Sequence, residues 1–177
     1  MIGTYGHGTE NDFVLLFDPE NQNELTQAQV ARICNRESGI GSDGFIRIGK
    51  IDNRWFMDYR NNDGSLAEMC GNGIRVMARY IVDRGYQSEG IVPIETRDGI
   101  KYLNVPKGAD ISVNMGGLKV LSSDIAVECN GMTWESGYNV SVGNPHAVVF
   151  VENVKDAGDL KSAPEVTPKS EYPDGVN

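Results

Sequence analysis

The stretch S-L-A-E-M-C-G-N-G-I-R, Ser65 to Arg75, sets a thiol directly before two glycines and then runs straight into helical spacing. From Cys70 onward Ile74, Met77, Ala78, Ile81 and Val82 recur at the i, i+3, i+4, i+7, i+8 intervals of one apolar helix face, and Gly85 stands where the pattern stops. A face built of Ile, Met and Ala suits a helix enclosed by sheet. At a helix start the first backbone N–H groups lack partners within the helix, and the macrodipole makes that end partly positive. Glycines let a ligand approach those groups closely, and a cysteine placed there has its thiolate favoured beside a site suited to a carboxylate. Cys70 therefore has two readings: a reactive sulfur next to an anion site, or a small buried hydrophobe at a turn.

Strand signals dominate around this helix. D-F-V-L-L-F (Asp12 to Phe17), G-F-I-R-I-G-K-I (Gly44 to Ile51) and R-W-F-M-D-Y-R (Arg54 to Arg60) are short apolar or alternating runs between turn residues, the last two forming a hairpin across Asp52-Asn53. I-V-P-I-E-T-R and I-K-Y-L-N-V make a second hairpin across Asp98-Gly99, and Asn130-Gly131 marks a third, since both dipeptides tolerate the positive φ of tight turns. Antiparallel pairing is expected to be common. Another helix is announced by Thr26 with Gln29 in capping-box spacing, carries Val30, Ile33 and Cys34 on one face, and is expected to end at Gly39. The segment after Val154 is rich in Pro, Lys and acidic residues and reads as a connecting region with a short helix, its last residues opening a further strand. T-E-N-D-F-V-L-L-F near the start is echoed by V-G-N-P-H-A-V-V-F-V from Val142, which hints at duplication.

Composition narrows the function. With 177 residues, a net charge of −9 and a hydrophobic fraction of 40%, the chain suits one globular domain or two small ones. It has no Lys/Arg cluster, which argues against nucleic acid or an anionic membrane surface and leaves small-molecule chemistry as the default. No apolar run approaches membrane-spanning length, and M-I-G-T-Y-G-H-G lacks the basic and apolar regions of a signal peptide, so a cytoplasmic protein is expected. The three cysteines, Cys34, Cys70 and Cys129, are odd in number and lack C-x-x-C spacing, which indicates neither a disulfide framework nor a zinc site.

Cys34 on an apolar helix face and Cys129 ahead of the Asn-Gly turn read as packing residues. His146, after Asn144-Pro145, reads equally as a proton handler or a hydrogen-bonded turn residue, and His7 in its Gly-flanked terminal segment is given no role. Asn11, Asn61, Asn72, Asn144 and Asn177 sit near glycine or proline as turn formers do. Their amides also offer acceptor and donor together, which suits a zwitterionic amino acid.

Five markers in order give the chain a specific resemblance. E-N-D-F (Glu10 to Phe13), S-G-I-G-S-D-G (Ser38 to Gly44), R-N-N-D-G-S-L-A-E-M-C-G-N-G-I-R (Arg60 to Arg75), G-N-P-H (Gly143 to His146) and D-G-V-N (Asp174 to Asn177) resemble the diaminopimelate epimerase family. The resemblance implies an α+β fold of two pseudo-symmetric halves, each a mixed, mostly antiparallel sheet wrapped around a central helix, with residues 1–117 the first half and 118–177 an incomplete second. It implies a cofactor-independent isomerase of lysine and peptidoglycan-precursor biosynthesis that interconverts LL- and meso-2,6-diaminopimelate. Cys70 matches the first catalytic thiol and His146 a histidine that tunes the thiols. Gly71 and Asn72 match positions whose N–H groups hold the reacting carboxylate, and Asn11, Asn61, Asn144 and Asn177 match binding asparagines.

The family's second cysteine motif, preceded by a Glu-Arg pair, would fall beyond Asn177, so a fragment inactive alone is expected. Gly44 stands where some members carry Gln, and Glu10 where Gly is commoner. A proline or hydroxyproline racemase-like enzyme, a binding-only fragment, and a covalent cysteine nucleophile activated by His146 are the alternatives. A small-molecule substrate, no metal and no cofactor are expected, and a homodimer is left open.

Overall fold

The helix expected after Cys70 forms over Gly71–Asp83, with Ile74, Met77, Ala78 and Ile81 fully buried and Val82 half-buried. The computed structural model describes residues 3–142, 145–158 and 163–172. The chain divides into two units, residues 1–115 and 116–177. In the first, the order is β1 (Gly3–Gly8), β2 (Asn11–Phe17), α1 (Gln27–Cys34), β3 (Gly44–Ile51), β4 (Arg54–Asn61), α2 (Gly71–Asp83), β5 (Gly90–Thr96), β6 (Gly99–Val105) and β7 (Ser112–Val113).

The seven strands form one sheet in sequence order, with parallel pairs β2–β3 and β4–β5 and antiparallel pairing elsewhere. Parallel neighbours need a crossover, and each here contains a helix: α1 in the first, α2 in the second. α2 packs against every one of the seven strands, so the sheet curls around it. Phe13, Leu15, Ile46, Ile48, Met57, Ile94 and Leu103 supply the enclosing wall. β2 is buried on both faces, because its alternate residues Val14 and Leu16 pack under α1 with Val30, Cys34 and Phe45. Each large side chain buried on α2 contributes about 1.5–3 kcal/mol of hydrophobic free energy, before the entropy cost of ordering it. The helix closes as the sequence predicts: Gly85 takes φ 75°, its N–H donates to Val82 O at 2.9 Å and that of Tyr86 to Ile81 O at 2.9 Å, a Schellman cap.

β1 was not foreseen, because G-T-Y-G-H-G lacks strand propensity. Its glycines answer to packing instead, since a Cβ on Gly6 would lie 2.9 Å from Val76 Cγ1 and one on Gly8 3.2 Å from Asn72 O. α1 ends at Cys34, not Gly39, because the Asn35 side chain accepts from the N–H groups of Glu37 and Ser38 and turns the chain. Gly39 serves the fold-back: its N–H donates to Asn35 O, and a Cβ there would sit 2.1 Å from Arg32 O. The second hairpin turns on Arg97-Asp98, with Gly99 at φ 79° opening the next strand, whereas Asp52-Asn53 and Asn130-Gly131 turn as expected with positive φ at both residues.

The second unit is a four-stranded antiparallel sheet in the order β10-β9-β8-β11, made of β8 (Lys119–Cys129), β9 (Met132–Ser141), β10 (Pro145–Val148) and β11 (Glu165–Thr167). Ile125, Val127, Val166 and Tyr172 form its core. β11 falls in the stretch whose composition predicts a connecting segment; flanked by Pro164 and Pro168, it is only a three-residue edge strand. Two 3-10 turns, Val154–Ala157 and Lys169–Glu171, are the helical content of the closing segment among the described residues.

On the outer face of β3 and β4, Asp58 is 3% exposed and gathers three guanidinium groups: Arg47 at 3.1 Å, Arg60 at 3.4 Å, and Arg97 in the shortest contact. Burial alone would raise the Asp58 carboxyl. The hydrogen bonds from Arg97 and Arg47 and the charges of Arg60 and Arg97 outweigh it and hold the group below the usual carboxylate range. A depressed folded value means that the contribution to stability is complete above the unfolded value of about pH 3.9 and is lost as pH falls through the folded one. Asp58→Asn should therefore cost about 3 kcal/mol at neutral pH and flatten the loss of stability below pH ~4, both read from urea unfolding across pH. The β1–β2 turn places Thr9 and Glu10 at φ 52° and 67°. That conformation costs a side-chain-bearing residue about 1–2 kcal/mol, against ~0.5–1 kcal/mol for glycine's extra unfolded freedom. Glu10→Gly is expected to raise stability by up to about 1 kcal/mol, measured as a higher urea midpoint at unchanged slope.

Candidate active site

Sheet register brings the candidate residues of the first unit to one end. Phe13 pairs with Gly44 and Gly44 with Asn61, so the starts of β2 and β3 and the end of β4 lie side by side. The chain leaves β4 at Asn61 and reaches Cys70 through a loop tied at several points. Asn61 N–H donates to Ser65 O and its side-chain amide to Ser65 Oγ, both at 3.0 Å. Arg97 donates to Tyr59 O at 2.8 Å and Ala67 O at 3.0 Å, so the guanidinium that pairs with Asp58 also anchors this loop.

Cys70 is the N-cap of α2, with extended φ and ψ of −130° and 119°, and its sulfur accepts from Gly73 N–H at 3.5 Å. This is the place that Ser, Thr, Asp or Asn usually takes, filled by a thiol. The sulfur in turn lies 3.7 Å from Asn11 Oδ1 as donor. Asn72 Nδ2 donates to the same oxygen at 3.4 Å, while Asn72 Oδ1 accepts from Arg75 at 2.6 Å and Thr9 Oγ1 at 3.1 Å. Asn11 Nδ2 donates to Asp43 Oδ2 at 2.8 Å. Asp43 belongs to a further network: Arg36 bridges Asp12 and Asp43 at 2.8 Å each, Asp43 N–H donates to Asp12 Oδ1 at 2.7 Å, and Tyr5 donates to Asp12. The Arg36 guanidinium beside Asp12 outweighs its partial burial and holds its carboxyl far below the usual range.

Tyr59, on β4, borders the same sulfur. Burial first, then the neighbouring Cys70, pushes its phenol well above the ordinary value, so it stays protonated throughout the range in which enzymes work. Its ring meets Phe13 edge-on with centroids 6.1 Å apart. A Cβ at Gly44 would lie 2.7 Å from Tyr59 Cε2 and 3.2 Å from its hydroxyl oxygen. The space above Gly44 thus belongs to the Tyr59 ring and the Arg60 carbonyl, which leaves no room for a side chain there.

Cys70, Asn11, Gly71 and Asn72 lie together, and Asn61 shares their end of the sheet. Asn144 and Asn177 lie outside the described residues. His146 stands in β10 of the second unit, opposite Val140 and half-buried. Cys34 is 2% exposed in the core under α1, and Cys129 ends β8. Sequence reading missed Asp43, Tyr59, Thr9 and Arg75. Asp43 and Tyr59 lie in or beside quoted motifs but carry no spacing signal of their own, since their contacts arise only when β2, β3 and β4 align. Among the described residues no cluster of three or more His, Cys, Asp or Glu side chains could hold a metal ion, and no helix is long and apolar enough to cross a membrane.

The N–H groups of Gly71 and Asn72 start the helix without intrahelical acceptors and suit an anionic oxygen. A thiol beside them can take or give a proton at an adjacent carbon. The family profile described as diaminopimelate epimerase matches residues 3–121. Diaminopimelate epimerase of Streptomyces coelicolor is 45% identical, covering 97% of this chain and 63% of its own length. That of Thermobifida fusca is 40% identical, covering 97% and 67%, and that of Mycobacterium leprae 38%, covering 100% and 69%. The chain thus spans about two thirds of these relatives. Among solved structures, a Bacillus anthracis phenazine biosynthesis protein of the PhzF family matches with a TM-score of 0.54 at 17% identity, over 81% of this chain and 52% of that one. Methylitaconate-delta-isomerase matches with a TM-score of 0.50 at 12% identity, over 82% and 51%. At such identities these two establish the fold alone: an α+β architecture with a mixed, curled sheet. On the profile match and the relatives together, the chain belongs to the diaminopimelate epimerase family.

Proposed function

We propose that the protein interconverts LL- and meso-2,6-diaminopimelate by two-base proton transfer at Cα, with Cys70 as one of the two acid–base groups. The observation that carries this reading is the sulfur of Cys70 capping α2 beside the N–H groups of Gly71 and Asn72, which as first-turn groups have no acceptor within the helix. Inverting a stereocentre requires removing a proton from one face of the carbon and supplying one from the other. Cys70 as thiolate takes the Cα proton on its face; a second thiol delivers its own to the opposite face, and the roles exchange in the reverse direction. The helix N–H groups hold the reacting carboxylate, over which the carbanion's charge spreads. Asn11, Asn61, Asn72, Asn144 and Asn177 bind the polar groups of the substrate, and His146 tunes a thiol. In this reading the second thiol comes from the third of the relatives' length that this chain does not span.

The test uses a form of the protein that spans the whole length of its relatives. With LL-diaminopimelate in heavy water, deuterium enters at Cα as the meso isomer appears. Cys70→Ser lowers both at least about 100-fold and leaves the circular dichroism unchanged. Epimerisation retained in Cys70→Ser removes Cys70 from this role, and an acyl adduct detected by mass replaces proton transfer with a covalent mechanism.

A further inference from the structure

The Cys70 sulfur meets Asn11 through one particular atom, and the choice of atom is made elsewhere. Asn11 Nδ2 donates to Asp43 Oδ2 at 2.8 Å. An ionised carboxylate only accepts, so turning the Asn11 amide over would set oxygen against oxygen. On its other side Asn11 Oδ1 receives Asn72 Nδ2 at 3.4 Å, and Asn72 is itself oriented by the Arg75 guanidinium, which only donates, at 2.6 Å. Both ends of the chain of amides are therefore pinned by a group of fixed polarity. Asp43 is itself oriented, since its second oxygen accepts from Arg36 at 2.8 Å and its backbone N–H donates to Asp12.

We infer that Asp43 is a positioning residue for the acid–base step: through Asn11 it presents a carbonyl oxygen to Cys70, so that the site offers a partner to the sulfur that carries a proton. This rests on the reading of Cys70 as an acid–base group. The titratable and charged groups around the sulfur are Tyr59 from β4, Asp43 from the segment before β3 with its partners Asp12 and Arg36, and Arg75 from α2 itself. Tyr59 stays a neutral phenol, buried and beside Cys70. It can donate to the sulfur in either state, so Asn11 is the neighbour whose orientation distinguishes the two.

The rate at which iodoacetamide alkylates Cys70, followed by peptide mass mapping in the 177-residue chain, tests this without turnover. Asp43→Asn removes the shorter of the two anchors on Asn11, leaving only the 3.4 Å contact from Asn72, and lets Nδ2 face the sulfur. Alkylation at pH 7 is expected to rise about 3- to 10-fold, with the pH profile displaced to the acid side. In an Asn11→Ala background the same Asp43→Asn change should have almost no effect, because the positioned group is gone. An equal acceleration with and without Asn11 would mean that Asp43 acts as a distant charge and overturns the inference, as does no acceleration in the presence of Asn11. Should Asp43→Asn fail to fold, the unaltered chain gives a second readout. Its Asn11 side-chain amide protons should exchange with solvent more slowly than those of exposed asparagines; exchange as fast as theirs contradicts the inference. A negative result here leaves the heavy-water test untouched, and failure of that test leaves the amide orientation standing.

Discussion

Enclosing one apolar helix inside one curled sheet is the constraint on which the first unit depends. α2 touches all seven strands, and its buried face of Ile74, Met77, Ala78 and Ile81 leaves little freedom in depth or rotation. Because β2 and β3 start where β4 ends, seating the helix this way brings its N-terminus to Asn11, at the end of the sheet that Gly44 and Asn61 share. The site is thus a by-product of burial: the same packing that stabilises the fold delivers a helix tip, with its unpaired N–H groups, to the polar end of the sheet. The close packing of β1 against α2, tight enough to require glycines at Gly6 and Gly8, belongs to the same arrangement and brings Thr9 to Asn72.

Around the helix tip, charge fixes the orientation of neutral groups. Asp12, Asp43 and Arg36 form a closed network, and Asn11 hangs from it by a single donor. On the opposite side Arg75 fixes Asn72. An amide between two such anchors has one orientation, so a thiol that meets it meets a known atom. The outer Asp58 cluster contributes at a distance through Arg97, which links a buried carboxylate to the carbonyls of Tyr59 and Ala67 on the path to Cys70.

Much of this was legible in the sequence wherever a local pattern carries the physics. The α2 period, its Gly85 stop, the capping box at Thr26 and Gln29, and the Asp52-Asn53 and Asn130-Gly131 turns all depend on near neighbours in sequence. What escaped depends on partners far along the chain. β1 is a strand only because β2 pairs with it and α2 lies over its glycines. Asn35, not Gly39, ended α1, because a side chain captured the next N–H groups before glycine was reached. Glu10, read only as a departure from a commoner glycine, occupies a φ of 67°, a cost no propensity scale assigns from sequence. Cys70, Asn11 and Asn72 were visible through the family's motifs, whereas Asp43 and Tyr59 acquire their contacts only from strand register.

Cys70 caps a buried helix with its sulfur, and the Gly73 amide reports that contact directly. Its nitrogen resonance, followed through a pH titration of the 177-residue chain, should move as the sulfur loses its proton and stay fixed in Cys70→Ala, while other α2 amides keep their protection in both. A Gly73 resonance indifferent to pH in the unaltered chain, or one that moves equally in Cys70→Ala, would contradict the placement of the thiol at the helix tip.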